Sequence, residues 1–281
     1  MFSLAVENER GERLELTHNN NYDVISVEGL NPPTAAINTA NVAGLDGSRF
    51  NSSKIEQRNI VITLNIRPHI EANRLALYRY IRVKRYIKVY YKNDFRDVFI
   101  EGFVESFENN LFTQLQQPQI SIICPNPFWR STRNTLVDFS NLTALFEFPF
   151  SIPSSGIEFS RINKVTMTLI NAGDVETGAV IKFHASAAVT NPVFYNRTNG
   201  TFFGFNLVMI EGDEITLNTL QGEKSVILTR ENETTNILSS RQSGSSWITF
   251  EPGENEISFG ADDGSAALTV TVIAVQKYEG V

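Results

Sequence analysis

The feature that most limits the fold is the rhythm of the second half of the chain. After residue 135, short runs with apolar residues at alternate positions follow one another: "KVTMTLIN", "AVIKFHASA", "FFGFNLVMI", "DEITLNT", "KSVILTR", "SWITFEP", "NEISFGA" and "ALTVTVIAVQKY". A period of two puts every second side chain on one face, the pattern of a strand lying half-buried on a core. Between the runs stand Asn-Ala-Gly-Asp, Glu-Gly-Asp, Gln-Gly-Glu, Pro-Gly-Glu and Asp-Asp-Gly. Each can supply the positive φ or the Asx-turn at which a hairpin reverses. Short strands spaced by turns predict an antiparallel β-sandwich or jelly roll with no helix of useful length.

The first half is mixed. "NIVITLNIRP", 59–68, sets Ile60, Ile62, Leu64 and Ile66 on one face, and Pro68 stops it. "EANRLALYRYIR", 71–82, has good helix formers, with Leu77, Tyr80 and Ile81 near one face and Arg74, Arg79 and Arg82 elsewhere. Strands are expected at "YIKVYYKN", "RDVFIEGFVESFE" and "QISIICP", with turns at Asn93-Asp94 and Asn109-Asn110. Residues 31–57 are rich in Asn, Ser, Thr and Gly and show no core-facing period. A stretch that long reads as an extension serving something outside its domain, or as disorder.

With 281 residues the chain is long enough for two domains. The net charge of −7 is unevenly spread: residues 1–136 hold 16 Lys and Arg against 14 Asp and Glu, and the remainder holds 8 against 17. That asymmetry, with the polar "RSTRNT", places the expected boundary at 135, giving domains 1–135 and 136–281. "MFSLAVENERGERLEL" mixes acids and arginines where a secretory signal needs an apolar core, so export by that route is not expected. No membrane span is expected either. One cysteine cannot close an intramolecular disulfide, which suits synthesis in a reducing cytoplasm and makes the Asn-x-Ser/Thr matches, Asn141 among them, chance sequons.

Residues with catalytic potential do not assemble into a known pattern. His18, His69 and His184 lack partners at helical metal-ligand spacing, so neither metal nor cofactor is expected. Cys124 ends an apolar strand and reads as a small buried hydrophobe, since no base is suggested beside it. Glu211, Asp213 and Glu214, and Asp262 with Asp263, could in principle act as paired carboxylates, but both groups sit in hairpin turns that should leave them solvated. No nucleophile elbow, P-loop or dinucleotide fingerprint occurs. Basic residues interleave with tyrosines from Arg74 to Lys92, a pattern open to single-stranded nucleic acid. With 14 acids in the same half, acidic protein surfaces are the more economical partners.

The ordered features together resemble the distal tail proteins of long-tailed bacteriophages and their prophage relatives. The resemblance rests on "GLNPPTAAINTANVAGLDGSRFNSSKIEQRNIVITLNI", the helix opening "EANRLALYRYI", "FIEGFVESFENNLF" and "ISIICPNPFW". The second half is similar to the galectin-like sandwich many of these proteins carry, through "NAGDVETGAVIKFHA", "VTNPVFYNRTNGTFFGF", "GDEITLNTLQGEKSVIL", "WITFEPGENEISF" and "KYEGV". The resemblance implies a mainly β chain: an N-terminal β-sandwich-type ring domain with one α-helix and an extended loop, then a galectin-like antiparallel β-sandwich.

It implies a non-enzymatic hub: a homo-hexameric ring at the tail tip, made in the bacterial host cytoplasm, that joins the tail tube protein to a tail-associated fibre or lysin protein and to baseplate or receptor-binding proteins. Such a ring encloses the DNA channel without specific nucleic-acid recognition. Residues 31–57 would then reach the next subunit, with Phe50 and Arg58 as contacts. Cys124, Pro125, Pro127, Phe128 and Trp129 would form a stiff domain junction, the prolines ending a strand and the aromatics plugging the exit. The alternative is a carbohydrate-binding module for host cell-wall glycans; Trp247, Phe202 and Phe203 read as core and identify no sugar site.

Overall fold

The computed structural model describes residues 2–41, 43, 44, 46–113, 115–133, 135–140 and 166–281. Asn141 and the first two residues of "KVTMTLIN" lie outside them. The chain divides into two units, Met1–Arg133 with Lys277–Val281, and Asn134–Gln276.

The first unit contains β1 (Ser3–Asn8), β2 (Arg13–Glu15), β3 (Tyr22–Glu28), β4 (Ala35–Asn41), β5 (Ser48–Ile55), β6 (Arg58–Ile66), α1 (Ile70–Tyr80), β7 (Tyr86–Lys92), β8 (Asp97–Glu108), β9 (Gln119–Cys124) and β10 (Trp129–Ser131). Seven strands run in the order β2-β1-β7-β8-β9-β6-β3. The twelve-residue β8 is shared: β7 pairs along its first half, while β10 and then β9 take its other edge in turn. The sheet's inward side chains, with Leu77 and Ile81 from the helical segment, make one core. On β6 alternation holds as expected, with Ile60, Ile62, Leu64 and Ile66 all buried.

The helix begins after His69, which takes a left-handed conformation (φ 71°), and ends where Ile81 becomes extended. Its buried stripe is Asn73, Arg74 and Leu77, so Arg74 is not on the solvent face expected from the sequence. The guanidinium is kept inside by hydrogen bonds to Gln116 Oε1 (3.3 Å) and Glu71 Oε1 (2.6 Å).

The second unit contains β11 (Thr135–Ser140), β12 (Met167–Asn171), β13 (Ala179–Ala185), β14 (Val189–Thr190), β15 (Val193–Asn196), β16 (Thr201–Gly204), β17 (Val208–Met209), β18 (Glu214–Asn218), β19 (Ser225–Arg230), β20 (Glu233–Asn236), β21 (Gly253–Gly260) and β22 (Leu268–Ala274). Two antiparallel sheets, β11-β22-β13-β18-β19-β20 and β12-β21-β15-β16, form the sandwich. Ile181, Phe183, Leu217 and Val270 from one sheet and Leu169, Phe194, Phe203 and Ile257 from the other belong to the same core.

Two expected strands are built differently. "SWITFEP" buries Ile248 and Phe250 on alternate positions, but it crosses the core with a single bridge, Phe250 to Thr177, in place of a ladder. "FFGFNLVMI" breaks at Asn206: β16 belongs to the four-stranded sheet, whereas β17 pairs with β14. The last strand, β23 (Lys277–Tyr278), pairs with β10 in the first unit.

Candidate functional site

Residues 31–57, expected as an extension or disorder, form a β-hairpin. β4 and β5 pair only with each other, in a two-stranded sheet of their own. The register is interrupted by a bulge between Asn38 and Thr39, so that Ile37 faces Ser53 and Thr39 faces Phe50. Directly opposed residues of an antiparallel pair project to the same side. The bulge therefore brings Phe50 onto the face of Ile37, together with Ala35 and Ile55, and leaves Asn38, Ser52, Lys54 and Arg49 on the other. Across the polar face Asn38 Nδ2 donates to Ser52 Oγ at 3.1 Å. On the apolar face Ile37 and Phe50 are 57% and 59% exposed. A two-stranded ribbon is marginal in water without something to pack on.

Arg58 anchors the base of this arm. The alternation of β6 points it inward with Ile60 and Ile62, and it is 4% exposed, so its side chain does not reach a neighbouring subunit as the sequence reading expected. Its Nη1 donates to the carbonyls of Gly29 and Asn31 (2.6 Å), its Nε to Pro127 O (2.7 Å) and its Nη2 to Glu279 O. One side chain thus ties the chain entering the arm, the segment after β9 and the C-terminal residues. Gly29 is required here: it has φ of +82°, and a Cβ would collide with the Asn59 carbonyl. Burial lowers the pKa of Arg58, against the opposing pull of Cys124 and Glu279.

Beside it the five expected junction residues are placed inside the first unit. Cys124 is the last residue of β9 and fully buried; burial pushes its thiol up to about 12 against the opposing pull of Arg58. Pro125 and Pro127 withhold two backbone donors, and the Asn126 side chain caps the turn by accepting from Phe128 N at 3.3 Å. Phe128 is half-buried. Trp129 is fully buried in the first unit's core, 6.4 Å from the Tyr91 ring and 5.9 Å from the Arg58 guanidinium. Trp129 is thus a core residue of this unit.

In the second unit the acidic groups do not form a carboxylate pair. Asp213, expected to be solvated, is 1% exposed because Arg230 clasps it through Nε (2.9 Å) and Nη2 (2.6 Å) while Ile210 N donates at 2.9 Å. The Arg230 hydrogen bonds hold its carboxyl below the usual range, the opposite of what a general acid requires. Glu214 pairs with Lys182 at 3.0 Å, and Asp262 accepts from Asn191 at 2.7 Å. Among the described residues no group of His, Cys, Asp and Glu is arranged to hold a metal, and no helix is long and apolar enough to cross a membrane. Phe203 is buried in the core; Trp247 packs against it with Lys224 Nζ 5.4 Å from its ring centre, and Phe202 is half-buried beside Tyr195.

Residues 172–273 match the family model of the siphovirus-type tail component, C-terminal domain. No curated protein matches the chain. Among solved structures, the SPP1 Dit (gp 19.1) protein, described as a paradigm of the hub adsorption apparatus in phages infecting Gram-positive bacteria, aligns over 99% of both chains with a TM-score of 0.70 at 12% identity. A chain of the phage P2 baseplate in its activated conformation with Ca aligns over 100% of both, with a TM-score of 0.55 at 10% identity. The same baseplate with Sr gives 0.53 at 10% identity over 97% of this chain and 98% of that one. Residues 172–273 are thus similar to the C-terminal domain of siphovirus-type tail components, and from end to end the chain has the fold of the SPP1 Dit protein.

Proposed function

We propose that this protein is the hub at the distal end of a long phage tail, six copies closing a ring that continues the tail tube and carries baseplate and host-recognition proteins. The observation that carries this reading is the likeness to the SPP1 Dit protein across the whole chain, not across one unit alone. The arm supports it from physical chemistry: an exposed two-stranded ribbon with Ile37 and Phe50 on one face is explained by burial against another copy. The hub has no catalytic step. It holds its neighbours and surrounds the DNA channel, and it resides in the virion. The domain division proposed from the sequence assigns the ring to the N-terminal part and outward attachment to the C-terminal sandwich. Light scattering on the purified full-length protein at micromolar concentration tests the assembly: a mass of six chains is expected, and a mass of one chain at every concentration would overturn it.

A further inference from the structure

The chain crosses between the two units twice, after Arg133 and after Gln276, and the second crossing delivers Lys277–Val281 to the first unit. We infer that these residues are a releasable strap, coupled through Arg58 to the base of the β4–β5 arm, so that strap and arm base seat and unseat together. The strap has two halves. Lys277 and Tyr278 pair with Arg130 and Trp129 of β10, and the Arg96 guanidinium closes over the Tyr278 ring at 4.3 Å while its Nη1 donates to Gly280 O at 2.6 Å. The remaining residues rest on the chain that enters the arm. Glu279 O accepts from Arg58 Nη2, and Val281 N donates to Leu30 O at 3.2 Å. Gly280 passes so close that a Cβ on it would stand 3.0 Å from Pro32 Cδ and 3.3 Å from Leu30 O.

The arm leaves and rejoins the sheet at the same place. Residues 29–34 lead into it, Glu56 N closes its base on Thr34 O at 3.1 Å, and β6 begins with Arg58. Arg58 therefore stands between arm and strap, with Nη1 on the carbonyls of Gly29 and Asn31 and Nη2 on that of Glu279. A guanidinium is a rigid plane, so its donors cannot be re-aimed one at a time. Tilting the plane to follow a displaced arm entry takes Nη2 off the strap. Withdrawing the strap leaves a buried, charged N–H without that acceptor. The ladder with β10 is only two residues long and too short to hold the strap by itself. The coupling is reciprocal by linkage. It rests on the ring reading only for its use: there a neighbouring copy holds or displaces the arm, and the strap carries that state to the second crossing. Seated, the strap fixes that crossing on the first unit; unseated, it releases it.

Amide hydrogen exchange on two full-length variants tests the coupling, with the Val281 N–H reporting the strap and the Glu56 N–H reporting the arm base. Arg96→Gln loosens the strap at Tyr278 and Gly280. Gly29→Ala displaces the arm entry, because its Cβ would meet the Asn59 carbonyl. Each variant is expected to speed exchange at the far reporter about tenfold or more, Arg96→Gln at Glu56 and Gly29→Ala at Val281. Amides of β7 and β13 should keep their protection. If Arg96→Gln accelerates Val281 and leaves Glu56 unchanged, the two segments are independent and the coupling is overturned. Should Gly29→Ala also expose β7, it has melted the unit, and Arg96→Gln alone decides. The measurement is made on single chains below the concentration of assembly, which light scattering on the unmodified protein follows. Chains that never assemble while the far reporters respond would overturn the ring reading and leave the coupling standing. Chains that form rings while the far reporters stay unchanged would overturn the coupling alone.

Discussion

A side chain with five N–H donors buried at the base of the arm is held there by the carbonyls positioned to receive it. For Arg58 these are the carbonyls of Gly29, Asn31, Pro127 and Glu279. Arg58→Met would strand these acceptors and should lower the unfolding free energy of the first unit by about 3 kcal/mol or more. Arg58→Lys should recover little, because a single ammonium cannot span the fork; urea unfolding followed by Trp129 fluorescence reads both. The parity of β6 contained this placement, since Arg58 stands in step with Ile60, Ile62, Leu64 and Ile66, whereas the resemblance put it at a contact between subunits. Arg74 was set off the apolar face of the helix although it sits one turn before Leu77 on the buried stripe.

Asp213 is a different case, because nothing local announces a partner seventeen residues away on the neighbouring strand. Its folded pKa is depressed, so the stability it contributes is present above the unfolded aspartate value near 4 and is lost as pH falls through the lower folded value. Melting of the second unit should therefore weaken below about pH 4. Asp213→Asn should remove that part of the acid dependence and cost about 1–3 kcal/mol at neutral pH, as calorimetry across pH would measure. For Cys124, buried with its thiol pushed up to about 12, a disulfide reagent should fail to react with the native protein and react once it is unfolded; rapid native labelling would contradict the placement.

At the scale of elements, β6, β7, β13, β18 and β22 were legible because each alternates over five or more residues. The arm was not, because its strands lack a buried face and its register turns on a bulge. Alternation along β5 alone would separate Phe50 from Ser53 and Ile55; only the extra residue reunites them. "SWITFEP" failed in the reverse direction: its apolar period is real, but burial under a sandwich does not require a ladder. Amide hydrogen exchange should show β4 and β5 exchanging fastest among the first unit's strands in isolated chains, while β6 and β8 stay protected. On assembly the arm should become protected. Arm amides that remain fast in the assembled state would mean that nothing covers it.

At the scale of the whole molecule, the chain divides after Arg133, and its last five residues, Lys277–Val281, belong with the first unit. The return of Lys277–Val281 to the first unit had no sequence signal, since a two-residue strand carries no period. That return makes the first unit depend on both ends of the chain: Glu279 bonds Arg58, and Gly280 accepts from Arg96 Nη1 at 2.6 Å. Deleting residues 277–281 should therefore lower the melting temperature of the first unit and leave that of the second unchanged, which two-transition calorimetry would resolve. The central claim is that the chain builds a ring around a channel, and negative-stain imaging of the purified full-length protein tests it most directly. Six-fold annular class averages with an open centre wide enough for duplex DNA are the expected result; fields of isolated single chains, or compact particles without an opening, would contradict it.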